Sequence, residues 1–326
     1  MKLSRRNVLA FAATAVALPA LARRARAQTY PSHPVRVVVG FAPGASSDIN
    51  ARLVTQALSE RIGQQFIVDN RPGAGSNIAT EMVVRAGPDG YTLLYVTPPN
   101  VINATLYGDK LNYNFLHDVV PVASVVRTPC VMEVNLALPV KTVAEFIAYA
   151  KANPGKINMA TVGPGTAQHL YGELFMMMAG VEMVPVHYHG AAQALSDLIA
   201  GRVQVMFDVV VSSLEHIKAG KLRALAVTTA MPQDVLPGIP TVGETVPGYE
   251  ASGWQGIGAP KGTPRDIVER LSTEINAAIA DPALKSKLAD LGGQTFASSP
   301  EAFGKFLADE TVKWGQVVRA ANLKVD

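Results

Sequence analysis

The sequence predicts an α/β protein of two units, each built on a doubly wound sheet. Three observations carry this. Short β-branched apolar runs alternate with segments whose apolar residues recur at helical spacing. A strand, small-residue loop and helix start at 35–48 are repeated at 156–166. A Pro/Gly-rich connector over 231–250 then leads to three helix patterns with no sheet of their own. The last helices are therefore expected to cover the first unit, so that the chain leaves it, builds a second unit and returns. Two crossings between units make a hinge.

The first strand is Val35, Arg36, Val37, Val38 and Val39. Gly40, Pro43 and Gly44 turn the chain, and Ser46, Ser47 and Asp48 offer N-cap oxygens. Ile49, Leu53, Val54, Ala57, Leu58 and Ile62 follow at helical spacing. This arrangement directs free backbone N–H groups and a helix dipole at one point, at the carboxyl end of a strand, which suits a small anion. It is neither GxGxxG nor a P-loop. A second strand at 66–68, a loop at 70–75, a helix marked by Ile78, Met82 and Val83, and a third strand at 91–96 ending at Thr97 and Pro98 complete a β-α-β-α-β unit.

From about residue 119 strands dominate, at 119–126 and 131–138. Thr142 and Glu145 form a capping box for a helix to about Lys151. Strands at 156–160, 184–186, 203–207 and 222–227 alternate with helices after Thr166, after Gly190 and near 213–219. After Trp254, the pairs Thr263-Pro264, Asp281-Pro282 and Ser299-Pro300 each place a cap before Pro at the first helical position. The expected division is 1–27 as a leader, 28–127 with 250–326 as the first domain, and 128–249 as the second.

The leader is expected from a twin-arginine pattern at Arg5-Arg6, a small apolar segment and an Ala25-Arg26-Ala27 cleavage site. Removing its six basic residues takes Lys+Arg from 29 to 23 against 26 acids, so the net charge of +3 becomes about −3. No positive excess remains to attract nucleic acid. The single cysteine, Cys130, lies in an apolar run and reads as a buried small hydrophobe.

Taken together, the ordered motifs resemble the Bug family, the periplasmic receptors of tripartite tricarboxylate transporters. They are Phe41-Ala42-Pro43-Gly44, Asn70-Arg71-Pro72-Gly73-Ala74-Gly75, Pro88-Asp89-Gly90-Tyr91-Thr92-Leu93, Gly163-x-Gly165-Thr166-x-x-His169-Leu170, Tyr188-x-Gly190, Val205-Met206-Phe207-Asp208 and Ala219-Gly220-Lys221-Leu222-Arg223-Ala224-Leu225-Ala226-Val227. The resemblance covers essentially the whole chain after the leader, including Lys313-Trp314. It implies a two-lobed Venus-flytrap fold of the periplasmic-binding-protein type, with no cofactor and no catalytic residues. A small carboxylate-bearing ligand would be held mainly by backbone groups and ordered waters. Carried over residue by residue, it implies ligand contacts at Phe41, Ala42, Pro43, Gly44, Ser46, Ser47 and Asp48, at Thr97 and Pro98, at Gly163, Thr166 and His169, at Tyr188, Gly190 and Ala191, and at Asp208. The expected protein is a periplasmic monomer, exported by the twin-arginine route, that delivers its ligand to membrane permease subunits.

The sequence departs from the family pattern at Gly44-Ala45, where Gly-Gly is usual, and at 186–190, where His189 replaces a Lys or Arg. An imidazole is only partly charged near neutral pH, which disfavours a dianion such as citrate and favours a monocarboxylate, amino acid or aromatic acid. His187 and His189 alternate on an extended segment, but no Cys or acid is adjacent to complete a metal site. Asp208 reads as a site residue or a helix cap, Trp254 as a cleft wall or packing, and Asn70 with Arg71 as a pinning loop. Two other function classes remain open. One is a ligand-presenting sensor module. The other is an exported hydrolase using Ser46 or Ser47 with His169 and Asp208, for which there is no GxSxG elbow.

Overall fold

In the computed structural model, which describes residues 30–324, the apolar alternation of the first strand sorts two cores. On β1 (Val35–Val39), Val35, Val37 and Val39 join one buried cluster and Val38 another. β2 (Phe66–Asn70) and β3 (Thr92–Val96) flank β1 in parallel. Between them run α1 (Ser46–Ile62) and α2 (Asn77–Val84). α3 (Pro98–Leu106) and the short α4 (Phe115–Asp118) follow and were not expected from the sequence; Thr97 and Asn100 form the capping box of α3.

The second sheet begins where β4 (Val119–Thr128) gives way across Pro129 to β5 (Cys130–Asn135). α5 (Val143–Ala152), capped by Thr142, leads to β6 (Asn158–Thr161), α6 (Ala167–Ala179), β7 (Val184–His187) and α7 (Ala191–Ile199). β8 (Val205–Val209), α8 (Val210–Lys218) and β9 (Leu222–Val227) close it in the order β7-β6-β8-β5-β9. β6 is parallel to both β7 and β8, while β5 is antiparallel to β8 and β9.

The segment after the connector departs from the expectation of three helices without strands. β10 (Gly253–Pro260) inserts between β3 and β4, antiparallel to both, and β11 (Gln294–Thr295) adds an edge. The first sheet reads β11-β4-β10-β3-β1-β2. Gly253, Gly256 and Gly258 concealed β10, because glycine is depleted in strands. Gly256 is there for space: a Cβ would lie 2.3 Å from Phe303 Cζ and 2.7 Å from the Ala123 carbonyl oxygen.

The three closing helices are α9 (Arg265–Ala280), α10 (Pro282–Asp290) and α11 (Pro300–Ala320). Asp281 and Ser299 cap α10 and α11 as expected, whereas Thr263 donates to the Pro260 carbonyl and leaves Pro264 as the cap of α9. α9 and α10 cover one face of the first sheet with α1 through Leu271, Ile275, Leu284 and Leu288. α11 packs on α3 and β4 and also reaches α6, where Trp314 meets Tyr171 at 5.5 Å. One apolar cluster runs from Val38 and Leu94 through Phe303 and Trp314 to Phe175 and Phe207 of the second unit.

The two crossings lie side by side. Thr128 pairs with Gly253, and the Thr228 N–H donates to the Cys130 carbonyl at 2.9 Å. The expected leader at 1–27 lies outside the described residues. Among those described, no helix is long and apolar enough to cross a membrane.

Candidate functional site

A cleft of about 540 Å³ opens between the two sheets where these crossings meet. The first sheet contributes Phe41, Ser46, Ser47, Thr97 and Pro98, all singled out from the sequence. Thr166 enters from the second. The size suits a small molecule, and an apolar cleft with few convergent polar groups is the usual form of such a site.

α1 starts at Ser46 after Ala45, and no side chain caps it, contrary to the expected Ser capping oxygens. Its first-turn N–H groups therefore have no intrahelical carbonyl. Ser47 is buried and Ser46 exposed at this start. The loop before it can approach Ser76 only because residue 40 is glycine: a Cβ there would lie 1.9 Å from Ser76 Oγ.

Asp48 is buried and does not line the cleft; it braces the loop. Its Oδ2 accepts from the Gly44 N–H at 2.9 Å and from Arg52 Nε at 3.1 Å, and its Oδ1 lies 2.9 Å from Arg52 Nη2. Asn70 Nδ2 donates to Asp48 Oδ1 at 2.9 Å and to the Phe41 carbonyl at 3.0 Å. Burial opposes ionisation of Asp48, but the hydrogen bonds from Arg52, Gly44 and Asn70 together hold its carboxyl below the ordinary value. Ala42, Pro43 and Gly44 form the exposed outer turn of this loop, beside the cleft wall.

On the second sheet Thr166 caps α6, accepting from the His169 N–H, and its hydroxyl donates to the Gly163 carbonyl at 2.8 Å. His169 is buried behind this loop. Its Nδ1 accepts from the Gly165 N–H at 3.1 Å, so its Nε2 carries the proton and faces Glu173 Oε1 at 3.1 Å. His187 stacks edge-on to His169 at 4.9 Å and bonds Thr161 Oγ1 at 2.7 Å. Burial and the neighbouring His169 hold the His187 imidazole below its ordinary pKa against the opposing pull of Glu173. Tyr188 donates to Asp197 Oδ2 at 2.9 Å, and Tyr188, Gly190 and Ala191 stand at the start of α7, away from the cleft walls. Among the described residues no group of three or more His, Cys, Asp or Glu side chains is placed to hold a metal.

Asp208 is the last residue but one of β8, next to the wall residue Val209. It is buried, and neither carboxylate oxygen has a hydrogen-bond partner. Burial pushes its carboxyl up to about 6, although the Val209 N–H, Gln168 and Ser213 approach closely enough to temper the shift. The hydrolase arrangement does not form. His169 spends both ring nitrogens on Gly165 and Glu173, and Asp208 holds no imidazole.

The structure adds residues that sequence reasoning missed. Asn50 Nδ2 donates to Gln255 Oε1 at 3.0 Å, Tyr95 Oη donates to the same oxygen at 2.9 Å, and Asn50 Oδ1 stays unpaired at the cleft. Asn50 lies three residues after Ser47, hence on the same helix face, which is the signal that was available. Gln255 sits on the unexpected strand β10. Tyr171 lines the cleft with a buried, unpartnered hydroxyl. Trp254 is both wall and packing: it lines the cleft while its Nε1 donates to Glu310 Oε2 at 2.9 Å. Cys130 is buried as expected, yet it too lines the cleft, and burial raises its thiol pKa.

Residues 50–323 match the family described as "Tripartite tricarboxylate transporter family receptor". A "UPF0065 protein in tcbD-tcbE intergenic region" from Pseudomonas sp. is 39% identical over 318 residues, covering 97% of this chain and 94% of that protein. "Protein BugT" of Bordetella pertussis is 34% identical over 322 residues, covering 98% of each. The solved structure of R. palustris Rpa4515 with adipate superposes with a TM-score of 0.74 at 36% identity, covering 90% of this chain and 99% of that one.

Proposed function

Because this chain belongs to the tripartite tricarboxylate transporter receptor family, we propose that it captures a small carboxylate in the cleft between its two sheets and presents it to a membrane permease. It is a solute-binding protein and not an enzyme. The observation that carries the ligand reading is the uncapped start of α1 in an otherwise uncharged cleft. The Ser46 and Ser47 N–H and hydroxyl groups are the anion donors, with Phe41, Thr97 and Pro98 beside them. Ala42, Pro43, Gly44 and Asp48 shape that loop. Asp48 does so without repelling the anion, because Arg52 neutralises it. Adipate in the R. palustris relative is in keeping with a carboxylate ligand.

Of the described residues, 30–127 with 250–324 form one lobe and 128–249 the other. They rotate about the paired crossings at Thr128–Cys130 and Thr228–Gly253. Closure brings Thr166 onto the ligand, backed by Gly163 and His169. It also carries Tyr188, Gly190, Ala191 and Asp208 inward with the second lobe. Ligand shifts the equilibrium because it touches both lobes only in the closed form. The protein is exported through the twin-arginine route after loss of residues 1–27, and acts in the periplasm as a monomer.

A thermal-shift panel of carboxylates on protein stripped by unfolding and refolding tests this. Ligand at about a hundred times its dissociation constant adds roughly 2.7 kcal/mol, which moves the midpoint by several degrees. A flat panel on folded protein would remove the carboxylate reading. Small-angle scattering with saturating ligand should show a smaller radius of gyration, and an unchanged radius would remove closure.

A further inference from the structure

The two ends of the cleft are electrostatically unlike. Four helices, α1, α3, α6 and α8, bring first-turn residues to its wall: Ser46 and Ser47, Pro98 and Pro99, Ala167 and Gln168, Val211 and Ser212. None of the residues that line it carries a charged side chain. By dipoles alone both ends would accept an anion. The acids at the helix starts separate them.

At α1 the acid is Asp48, and it is neutralised: Arg52 pairs with it, and Asn70 and the Gly44 N–H donate to it. At α8 the acid is Asp208, two residues before the helix begins. Among the described residues no cation pairs with it, and neither oxygen has a hydrogen-bond partner although the residue is 1% exposed. A buried carboxylate with no partner is costly, so an unsatisfied one beside a cleft calls for an explanation in function. Glu133, on the neighbouring strand and bonded to Ser213, stays protonated near neutral pH, so the charge behind this wall is that of Asp208. Arg127, next to the wall residue Thr128, is already paired with Glu250 at 2.8 Å.

We propose that Asp208 sets ligand specificity by excluding a second carboxylate from the second-lobe end of the cleft, so that the protein selects monocarboxylates with an uncharged far end. This rests on the carboxylate reading above and deepens it. The ligand's single carboxylate sits at α1. Its uncharged body lies against the apolar wall of Phe41, Tyr171, Val209, Trp254 and Leu291. A second carboxylate at the far end meets like charge across a wall that offers it no counterion.

Calorimetric titration of stripped protein with matched pairs decides it: hexanoate against adipate, and benzoate against terephthalate. Each monocarboxylate should bind roughly tenfold or more tightly than its dicarboxylate partner. Asp208→Asn, which keeps the shape and removes the charge, should bring each pair within about twofold. Ser212→Lys, on the exposed first turn of α8, tests the same end without touching the buried acid. It should raise adipate affinity relative to hexanoate roughly tenfold. Adipate binding as well as hexanoate in the natural protein would overturn the proposal, as would an unchanged ratio in Asp208→Asn or Ser212→Lys. Failure of all four acids to bind would instead overturn the carboxylate reading beneath it.

Discussion

Replacing Glu133 by Gln should stabilise this protein at alkaline pH and leave it nearly unchanged at acid pH. Glu133 is fully buried on β5. Its Oε1 accepts from Ser213 Oγ at 2.6 Å, and its Oε2 has no partner. Burial raises its carboxyl and the nearby Asp208 raises it further, while the Ser213 bond lowers it; the net result is a shift from 4.5 to about 8. The unfolded chain ionises this group near 4.5, whereas the folded chain keeps it protonated up to about 8. Its contribution to stability is therefore complete below 4.5, declines as pH rises, and is lost above about 8. At about 1.4 kcal/mol per pH unit, the loss across that window is on the order of 5 kcal/mol. The glutamine cannot ionise, so the variant should be nearly as stable as the natural protein near pH 4.5 and ahead by several kcal/mol near pH 8. Urea denaturation followed by tryptophan fluorescence at several pH values measures this. Stability curves that run parallel over the whole window would refute the reasoning, and so would a variant that is weaker at the alkaline end.

Other expectations are smaller in scope. Gly256→Ala should cost about 2–3 kcal/mol in thermal unfolding, because the new methyl meets Phe303 and the backbone of Ala123 with no room to relax. Arg52→Ala leaves Asp48 unneutralised at the start of α1, so carboxylate affinity by calorimetry should fall roughly tenfold while the fold persists. Tyr171→Phe removes a hydroxyl with no partner in the protein. Urea denaturation should therefore show a change of less than about 1 kcal/mol.

The strand and helix alternation was legible because valine-rich runs and helical spacing are local signals. The strand β9 and the start of α1 come straight from residues 222–227 and 46–62. β10 was not legible. Its glycines serve a packing need set by Phe303, nearly fifty residues later, and no local pattern announces that. α11 was expected to cover the first unit only. Its contact with α6 through Trp314 and Tyr171 depends on how the two sheets sit together, which sequence periodicity does not encode. At the cleft, Ser46 and Ser47 were readable from helix-start chemistry, and Phe41 from the family resemblance. Gln255 and Tyr171 were not, because their role depends on tertiary neighbours: Gln255 joins Asn50 and Tyr95, and Tyr171 faces the cleft with its hydroxyl free. Asp48 is the instructive case. Its position at a helix start suggested a capping oxygen and the family resemblance implied a ligand contact, but Arg52, Asn70 and Gly44 occupy both of its oxygens.

The central claim is that the cleft recognises a carboxylate at the start of α1. Calorimetric titration of the stripped, refolded protein with benzoate and hexanoate, each beside its methyl ester, tests it most directly. The expected result is single-site binding of at least one free acid and loss of that binding in its ester, because the ester keeps the apolar body but carries no charge for the helix start to hold. Equal affinity for an acid and its ester would contradict the claim, since the cleft would then be reading only the apolar body.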